Sequence, residues 1–349
     1  TALIAHLLEA SGRDPSFLVG GALVNHPECV RSTGGDHFGI GGDEYDTAYF
    51  DKVPKFVHYR PRTAVITSLE FDHADIYDSI ETIEAAFERL IKLVPEDGHL
   101  VIWGGAHRAV RLAQQHARCK VTLYGTEAQE GVGLCMSRCD PGPEGLRFVA
   151  HLDGTDLGEM SVPMWGHHSA QNVLAALGAL LALGLSAAEL REALRTFAGV
   201  KRRLEVLGNP GGVTVVDDFG HHPTAVRLTL EGARMRWPEA RLWALFEPRS
   251  ATSRRNIFQE EFIEALSGAE CVVVGSHARL LEVPEAERFS PEKVASALRE
   301  RGREAWAIAD VEGITQRVGE SAAPGDVVMV FSNGDFGGLH RLLLEALRA

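Results

Sequence analysis

From about residue 200 onward, short β-branched runs alternate with amphipathic stretches of helical length. That alternation constrains the fold more than any other feature of the chain. The runs 212–217, 241–246, 271–275, 305–309 and 327–331 read as buried strands, and 222–237, 256–266, 291–301, 311–321 and 337–347 as helices. Strands that alternate with helices of this length form a parallel, doubly wound sheet. Ligands of such sheets gather at the carboxyl ends of the strands. Those ends hold Asp217-Asp218-Phe219-Gly220-His221-His222, Glu247-Pro248-Arg249-Ser250 and Ser332-Asn333-Gly334-Asp335.

The first part of the chain is also α/β. Residues 63–69 and 99–103 read as buried strands with a helix over 80–93 between them, and 121–124 as a further strand. Residues 131–165 alternate less regularly and suit a small antiparallel extension. A long Ala/Leu helix over 168–183 stops at Gly184, and another follows over 187–197. The boundary falls near Gly199-Val200-Lys201, giving domains 1–199 and 200–349.

Two domains suit 349 residues, and 45% hydrophobic with 24% charged residues is the balance of a soluble globular protein. No apolar run is long enough to span a membrane, and no signal peptide is visible. Both point to the cytoplasm. A net charge of −13 argues against a general nucleic-acid binder but leaves room for an anionic small molecule in a locally basic cleft. Five cysteines at irregular spacing, with Cys135 and Cys139 as a lone CxxxC, suit reduced thiols rather than a zinc site. The chain opens at Thr1 directly on the apolar periodic run 2–8, so it is expected to be a fragment that begins mid-element.

Several segments could carry chemistry. Glu70-Phe71-Asp72-His73-Ala74-Asp75 crowds oxygen and imidazole ligands after a strand, which suits Mg²⁺ or Mn²⁺ or, more plainly, a capped helix start. The turn Gly41-Gly42-Asp43-Glu44-Tyr45-Asp46 could bring Glu44 to the same ion or could be a solvated turn. Asp217-Asp218 with His221-His222 resembles half of a dinuclear metal site, or an acidic strand end beside a Pro-started helix. Lys201-Arg202-Arg203, and Arg249 with Arg254 and Arg255, could hold phosphates or face solvent. No Gly-Lys dipeptide occurs, so these residues contain no Walker A loop.

Taken in order, these segments resemble the Mur ligases along nearly the whole chain. TALIAHLLEASGRDPSFLVGG is similar to the stretch just after that family's GTxGKT loop. GVKRRLEVLG, VDDFGHHPTA and LFEPRSAT fit the family generally. GDEYDTAYFDKVPKFVHYRP, LEFDHADIY and SNGDFGGLH resemble its murein peptide ligase branch. The resemblance implies a central ATPase-type α/β domain, truncated at its N-terminus, and a C-terminal Rossmann-like doubly wound domain. It implies ATP-dependent ligation of L-Ala-γ-D-Glu-meso-diaminopimelate to UDP-N-acetylmuramate through an acyl phosphate, in peptidoglycan recycling. Glu44 and His73 match Mg²⁺ (or Mn²⁺) ligands. His168, Asn172, Arg203 and Asp218 match the ATP side, with Arg203 at the phosphates and Asp218 at the ribose. Arg203 and Asp218 are expected to act across the domain boundary. His221 and His222 look like catalytic residues on the acceptor or phosphate side. Arg249, Ser250, Ser332, Asn333 and Asp335 match the substrate side.

The chain departs from the family pattern in places. The P-loop lysine and the domain that grips the UDP group are absent from these residues, so the fragment alone is expected to be inactive or nearly so. Ser169 stands where the family has an asparagine, and 85–89 lacks the lysine that some members carbamylate. The alternatives are the L-alanine-adding ligase of the same family, a metal-dependent phosphoesterase built on DFGHH and FDHAD, and a non-catalytic remnant.

Overall fold

The computed structural model describes residues 1–26, 28–44, 46–70 and 76–348. The chain divides into two compact units between Val200 and Lys201.

The first unit opens with α1 (Ala2–Ala10) and a small sheet of β1 (Ser16–Leu18), β2 (Val30–Arg31) and β3 (Phe38–Ile40), followed by the hairpin β4 (Asp46–Ala48) and β5 (Asp51–Pro54). Next come α2 (Phe56–Tyr59), β6 (Thr63–Ile66), α3 (Ile80–Leu93), β7 (His99–Trp103), α4 (His107–His116) and β8 (Lys120–Gly125). Then come β9 (Leu134–Gly142), β10 (Gly145–Leu152), β11 (Thr155–Val162), α5 (His167–Ala182) and α6 (Ala187–Arg195). The main sheet has the order β11-β10-β9-β8-β7-β6. Strands β6 to β9 pair in parallel and β9 to β11 antiparallel, so the irregular segment extends the sheet rather than forming one of its own.

Both faces of this sheet are covered. Leu100 and Ile102 pack with α3 and α4, whereas Val101 between them packs with α5 and α6. That alternation is why β7 reads as an unbroken apolar run. Helix α5 lies so close to β7 that a Cβ on Gly178 would sit 2.8 Å from Val101 Cγ1. Helix α6 starts with a capping box. The Ser186 hydroxyl accepts the Glu189 amide, and the Glu189 carboxylate accepts the Ser186 amide.

The second unit runs β12 (Glu205–Gly208), β13 (Thr214–Asp218), α7 (Pro223–Arg236), β14 (Leu242–Phe246), α8 (Gln259–Leu266), β15 (Cys271–Val274) and α9 (Pro291–Glu300). It ends with β16 (Glu304–Ala307), α10 (Val311–Ser321), β17 (Val327–Phe331) and α11 (Leu339–Ala346). The sheet order is β12-β13-β17-β14-β15-β16, with every pair parallel except β12 to β13. The expected doubly wound sheet is present. The expectation of an all-parallel sheet is corrected at one edge, where four residues of β12 run antiparallel straight out of the linker. Val216, Ala244, Phe246, Val272 and Met329 pack against α7 to α9, and Val215, Trp243, Leu245, Val273 and Val328 against α10 and α11. A β-branched residue on either face of one strand meets apolar partners, which polar alternation would forbid.

Polar anchoring is concentrated at the base of the sheet. Asp326, buried just ahead of β17, accepts from Arg241 (2.7 Å), the Trp243 indole (2.9 Å) and the Ala323 amide (3.1 Å). Burial pushes its carboxyl up, but these bonds outweigh burial and hold it below the usual aspartate range. A depressed folded-state value means that the stabilisation is complete above the unfolded-state value, near pH 4. It is lost as pH falls through the folded-state value. Asp326→Ala is therefore expected to cost about 2–3 kcal/mol at pH 7, the scale for charge-assisted bonds left unmade. Urea denaturation of both proteins at pH 7 and pH 3 checks this: the gap between them should shrink at the lower pH.

Candidate functional site

Adjacent strands β13, β17 and β14 end side by side, with Asp218 paired to Phe331 and Phe331 to Phe246. The residues that leave the sheet here are Asp218, Ser332 and Glu247, exposed by 2%, 0% and 3%. Backbone bonds continue the register past the strands: the Ser332 amide donates to Asp218 O and the Glu247 amide to Phe331 O. The Ser332 hydroxyl donates to the Glu247 carboxylate and accepts the Gly334 amide at 2.9 Å. An apolar sheet thus delivers three buried polar groups to one place, at its carboxyl edge.

The basic run lies against the same edge, but its arginines differ. Arg202 faces inward. Its Nε donates to Asp217 at 3.1 Å, and its Nη2 to the carbonyls of Ser332 and Gly334, each at 2.6 Å. Arg202 and Leu204 both sit at positive φ (60° and 52°), a conformation costly for side-chain-bearing residues. Asp218 holds the turn: one carboxylate oxygen accepts the Leu204 amide and the other the Gly220 amide, each at 2.8 Å. Burial pushes the Asp218 carboxyl up, and the Arg203 charge and these two amides oppose that shift. Arg203 is exposed, its guanidinium 5.4 Å from the Phe219 ring centre. It is the arginine of the run that faces outward.

The DDFGHH segment does not form half of a metal site. The Asp218 oxygens are turned to backbone amides, and Asp217 pairs with Arg202 and with His340 at 3.1 Å. His222 Nδ1 accepts the Thr224 amide and caps α7, and the His221 ring bonds Phe219 O. Among the described residues, no three His, Cys, Asp or Glu side chains come together as a metal's ligand set. The substrate-side residues cluster better. Arg249 pairs with Asp335 at 3.3 Å and lies where a Cβ on Gly334 would clash with it. Asn333 keeps a buried Oδ1 with no donor among the described residues. The Ser250 hydroxyl bonds Ser253, closing its own turn.

In the first unit, Glu44 is half-buried ahead of β4, and its backbone carbonyl accepts the Tyr77 hydroxyl at 2.8 Å. Burial, and after it the neighbouring Glu44, Asp46 and Asp43 charges, push the Tyr77 hydroxyl up; Asp46 is paired with Lys52 at 2.7 Å and Asp43 with Lys55 at 3.6 Å. Oxygen donors of this kind suit a hard divalent cation. His73, the other expected ligand, lies outside the described residues. His168 and Asn172 both stand in the first turns of α5, His168 half-buried and Asn172 exposed.

From sequence, Arg202 is named only as part of the basic run and Glu247 only as part of a strand end, neither with a role of its own, and His340 is not named at all. A glutamate directly after an all-apolar strand was the available signal for Glu247. Nothing local marks His340, which meets Asp217 only through the sheet order.

A profile of the Mur ligase middle domain matches residues 47–180, and one described as Mur ligase, glutamate ligase domain, matches residues 202–334. The UDP-N-acetylmuramate–L-alanyl-γ-D-glutamyl-meso-2,6-diaminoheptandioate ligase of Escherichia coli is 35% identical over 98% of this chain and 71% of its own length. The UDP-N-acetylmuramate–L-alanine ligase of Desulfitobacterium hafniense is 30% identical over 96% of this chain and 72% of its own. A murein peptide ligase structure from Psychrobacter arcticus superposes with a TM-score of 0.72 at 28% identity, over 99% of this chain and 74% of that one.

The Arg202 geometry makes its own prediction. A planar guanidinium reaches two carbonyls and a carboxylate at once, which a lysine ammonium cannot reproduce. Arg202→Ala and Arg202→Lys are both expected to lower stability, the alanine by about 2–3 kcal/mol. Hydrogen exchange should quicken at the Gly334 amide, which that loop holds against Ser332. Unchanged exchange there in both variants would show that the clamp is dispensable.

Proposed function

The chain belongs to the Mur ligase family, the ATP-dependent ligases of peptidoglycan synthesis, and from that premise we propose that it joins L-Ala-γ-D-Glu-meso-diaminopimelate to UDP-N-acetylmuramate in the cytoplasm. The observation that carries this finer reading is the 35% identity, over 98% of the chain, to a ligase named for that tripeptide. The 30% identity to an L-alanine-adding ligase supports the second reading, in which free L-alanine is the acceptor.

In the proposed reaction, ATP phosphorylates the muramyl carboxylate to an acyl phosphate. The peptide ammonium gives up a proton, its free amine attacks the carbonyl carbon, and the tetrahedral intermediate loses phosphate and a second proton from nitrogen to leave the amide. Catalysis then consists of neutralising phosphate charge and holding the reacting groups in line. Arg203 serves the phosphates: it is exposed, always charged and steadied by the Phe219 ring. Asp218 acts chiefly on the protein, setting the turn from which Arg203 projects. Glu44 and His73 would hold Mg²⁺, which when bound supplies positive charge to the phosphate oxygens. His168 and Asn172 at the start of α5 serve the nucleotide. Arg249, Asn333 and Asp335 form the acceptor side, with Arg249 placed to receive a substrate carboxylate.

A coupled assay of ADP release on the full-length enzyme separates the readings. With UDP-N-acetylmuramate and ATP, the tripeptide should support turnover and L-alanine should not; the reverse result makes L-alanine the acceptor. AMP and pyrophosphate as products would overturn the acyl-phosphate route. Arg203→Ala is expected to slow turnover by about 10²–10³-fold, the scale for losing one preorganised donor at developing charge. Its melting temperature should stay close to that of the parent, because the side chain is exposed. Unchanged turnover and nucleotide affinity would make the outward arginine a solvated face.

A further inference from the structure

Glu247 is a buried carboxylate of the second unit that has no cation partner among the described residues. Its carboxylate is 3% exposed. Among the described residues its one side-chain bond is the hydroxyl of Ser332, and no Lys, Arg or His nitrogen lies within ion-pair distance. The other carboxylates in the neighbourhood have a basic side chain or amides as partners: Asp217 accepts from Arg202, with His340 Nε2 3.1 Å from its other oxygen, Asp218 accepts two amides, and Asp335 pairs with Arg249. A buried carboxylate without a cation is costly, and the usual resolution is a partner charge. One residue beyond Ser332 in the chain, the Asn333 Oδ1 is buried without a donor among the described residues. Two acceptors short of donors, one of them anionic, therefore stand at the ends of adjacent strands β14 and β17. Their chemical complement is an ammonium, which offers three N–H donors and a positive charge.

We propose that Glu247, together with Asn333, receives the amino group of the acceptor and fixes where that nitrogen rests before it attacks. This deepens the ligase reading and rests on it only in requiring an amine acceptor. The loops after the two strands are joined above this place by the exposed Arg249–Asp335 pair. Exposed pairs of this kind contribute little, so a substrate carboxylate can draw Arg249 away as the amine enters. Glu247 is thus a specificity-determining residue: it selects a free amine, whichever chain carries it.

Calorimetric titration of the full-length enzyme, with UDP-N-acetylmuramate and a non-hydrolysable ATP analogue present, tests this with the tripeptide, the N-acetylated tripeptide, L-alanine and N-acetyl-L-alanine. N-acetylation should weaken tripeptide binding about thirtyfold or more, as expected when a buried charge loses its partner. Glu247→Gln keeps the shape and can still accept from Ser332, and it should bind the free and acetylated tripeptides alike. Equal binding of the free and acetylated forms in both pairs by the unaltered enzyme, or a preference that survives in Glu247→Gln, would overturn the proposal. A free-amine preference found with the L-alanine pair but not the tripeptide pair, and lost in Glu247→Gln, would uphold Glu247 and overturn the tripeptide reading. Should Glu247→Gln not fold, Glu247→Asp decides: a reduced preference supports the assignment and an unchanged one refutes it.

Discussion

A parallel sheet covered by helices on both faces can offer polar chemistry only where its strands stop. That constraint shapes the second unit. Along β14 and β17, and along β13 through Val215 and Val216, both faces are apolar and buried, and a charge there would lack partners. Polar groups enter at the carboxyl ends: Asp217 and Asp218 close the ladder of β13, and Glu247 and Ser332 follow directly after the last pair of β14 with β17. The linker arginine Arg202 then ties two of these strand ends together through Asp217 and the carbonyls of Ser332 and Gly334. The site's geometry is a property of the strand order as much as of any motif.

Much of this was legible in the residues. A buried parallel strand needs apolar side chains at every position, so 327–331 and 271–275 announce themselves without any alternation to interpret. Helix 311–321 carries its own start signal, with Asp310 accepting the Gly313 amide. The parts that escaped lack a local signature. The edge strand β12 has four residues, none of them fully buried, and is too short for periodicity. The hairpin β4–β5 and the sheet β1–β3 are similarly brief, and α4 marks its buried face only with the small or sparse apolar residues Ala109, Leu112 and Ala113 in a polar stretch.

The candidate site shows the same division. Strand-end positions could be picked from topology, and Arg249, Ser332, Asn333 and Asp335 do gather in one place. Side-chain roles could not be picked, because an aspartate that caps a turn and one that holds a ligand have the same spelling. Asp218 and His222 are turned to backbone amides, and only the folded structure distinguishes that from metal ligation. The arginines of the linker divide by a single residue, Arg202 inward and Arg203 outward, and the positive φ at Arg202 that turns the chain is invisible in composition.

The sheet order of the second unit also bears on how the chain comes to be folded as it is made. Strand β17 is the last of its unit in sequence but lies between β13 and β14, near the middle of the sheet. Until 327–331 have left the ribosome, β13 and β14 have no common neighbour, and their inner backbone edges stand open. Contacts of such long sequence separation close late and slowly. The nascent unit therefore waits with two apolar, unpaired strand edges exposed, the state on which chaperones act. Synthesis completes the sheet from the inside, by inserting its keystone last.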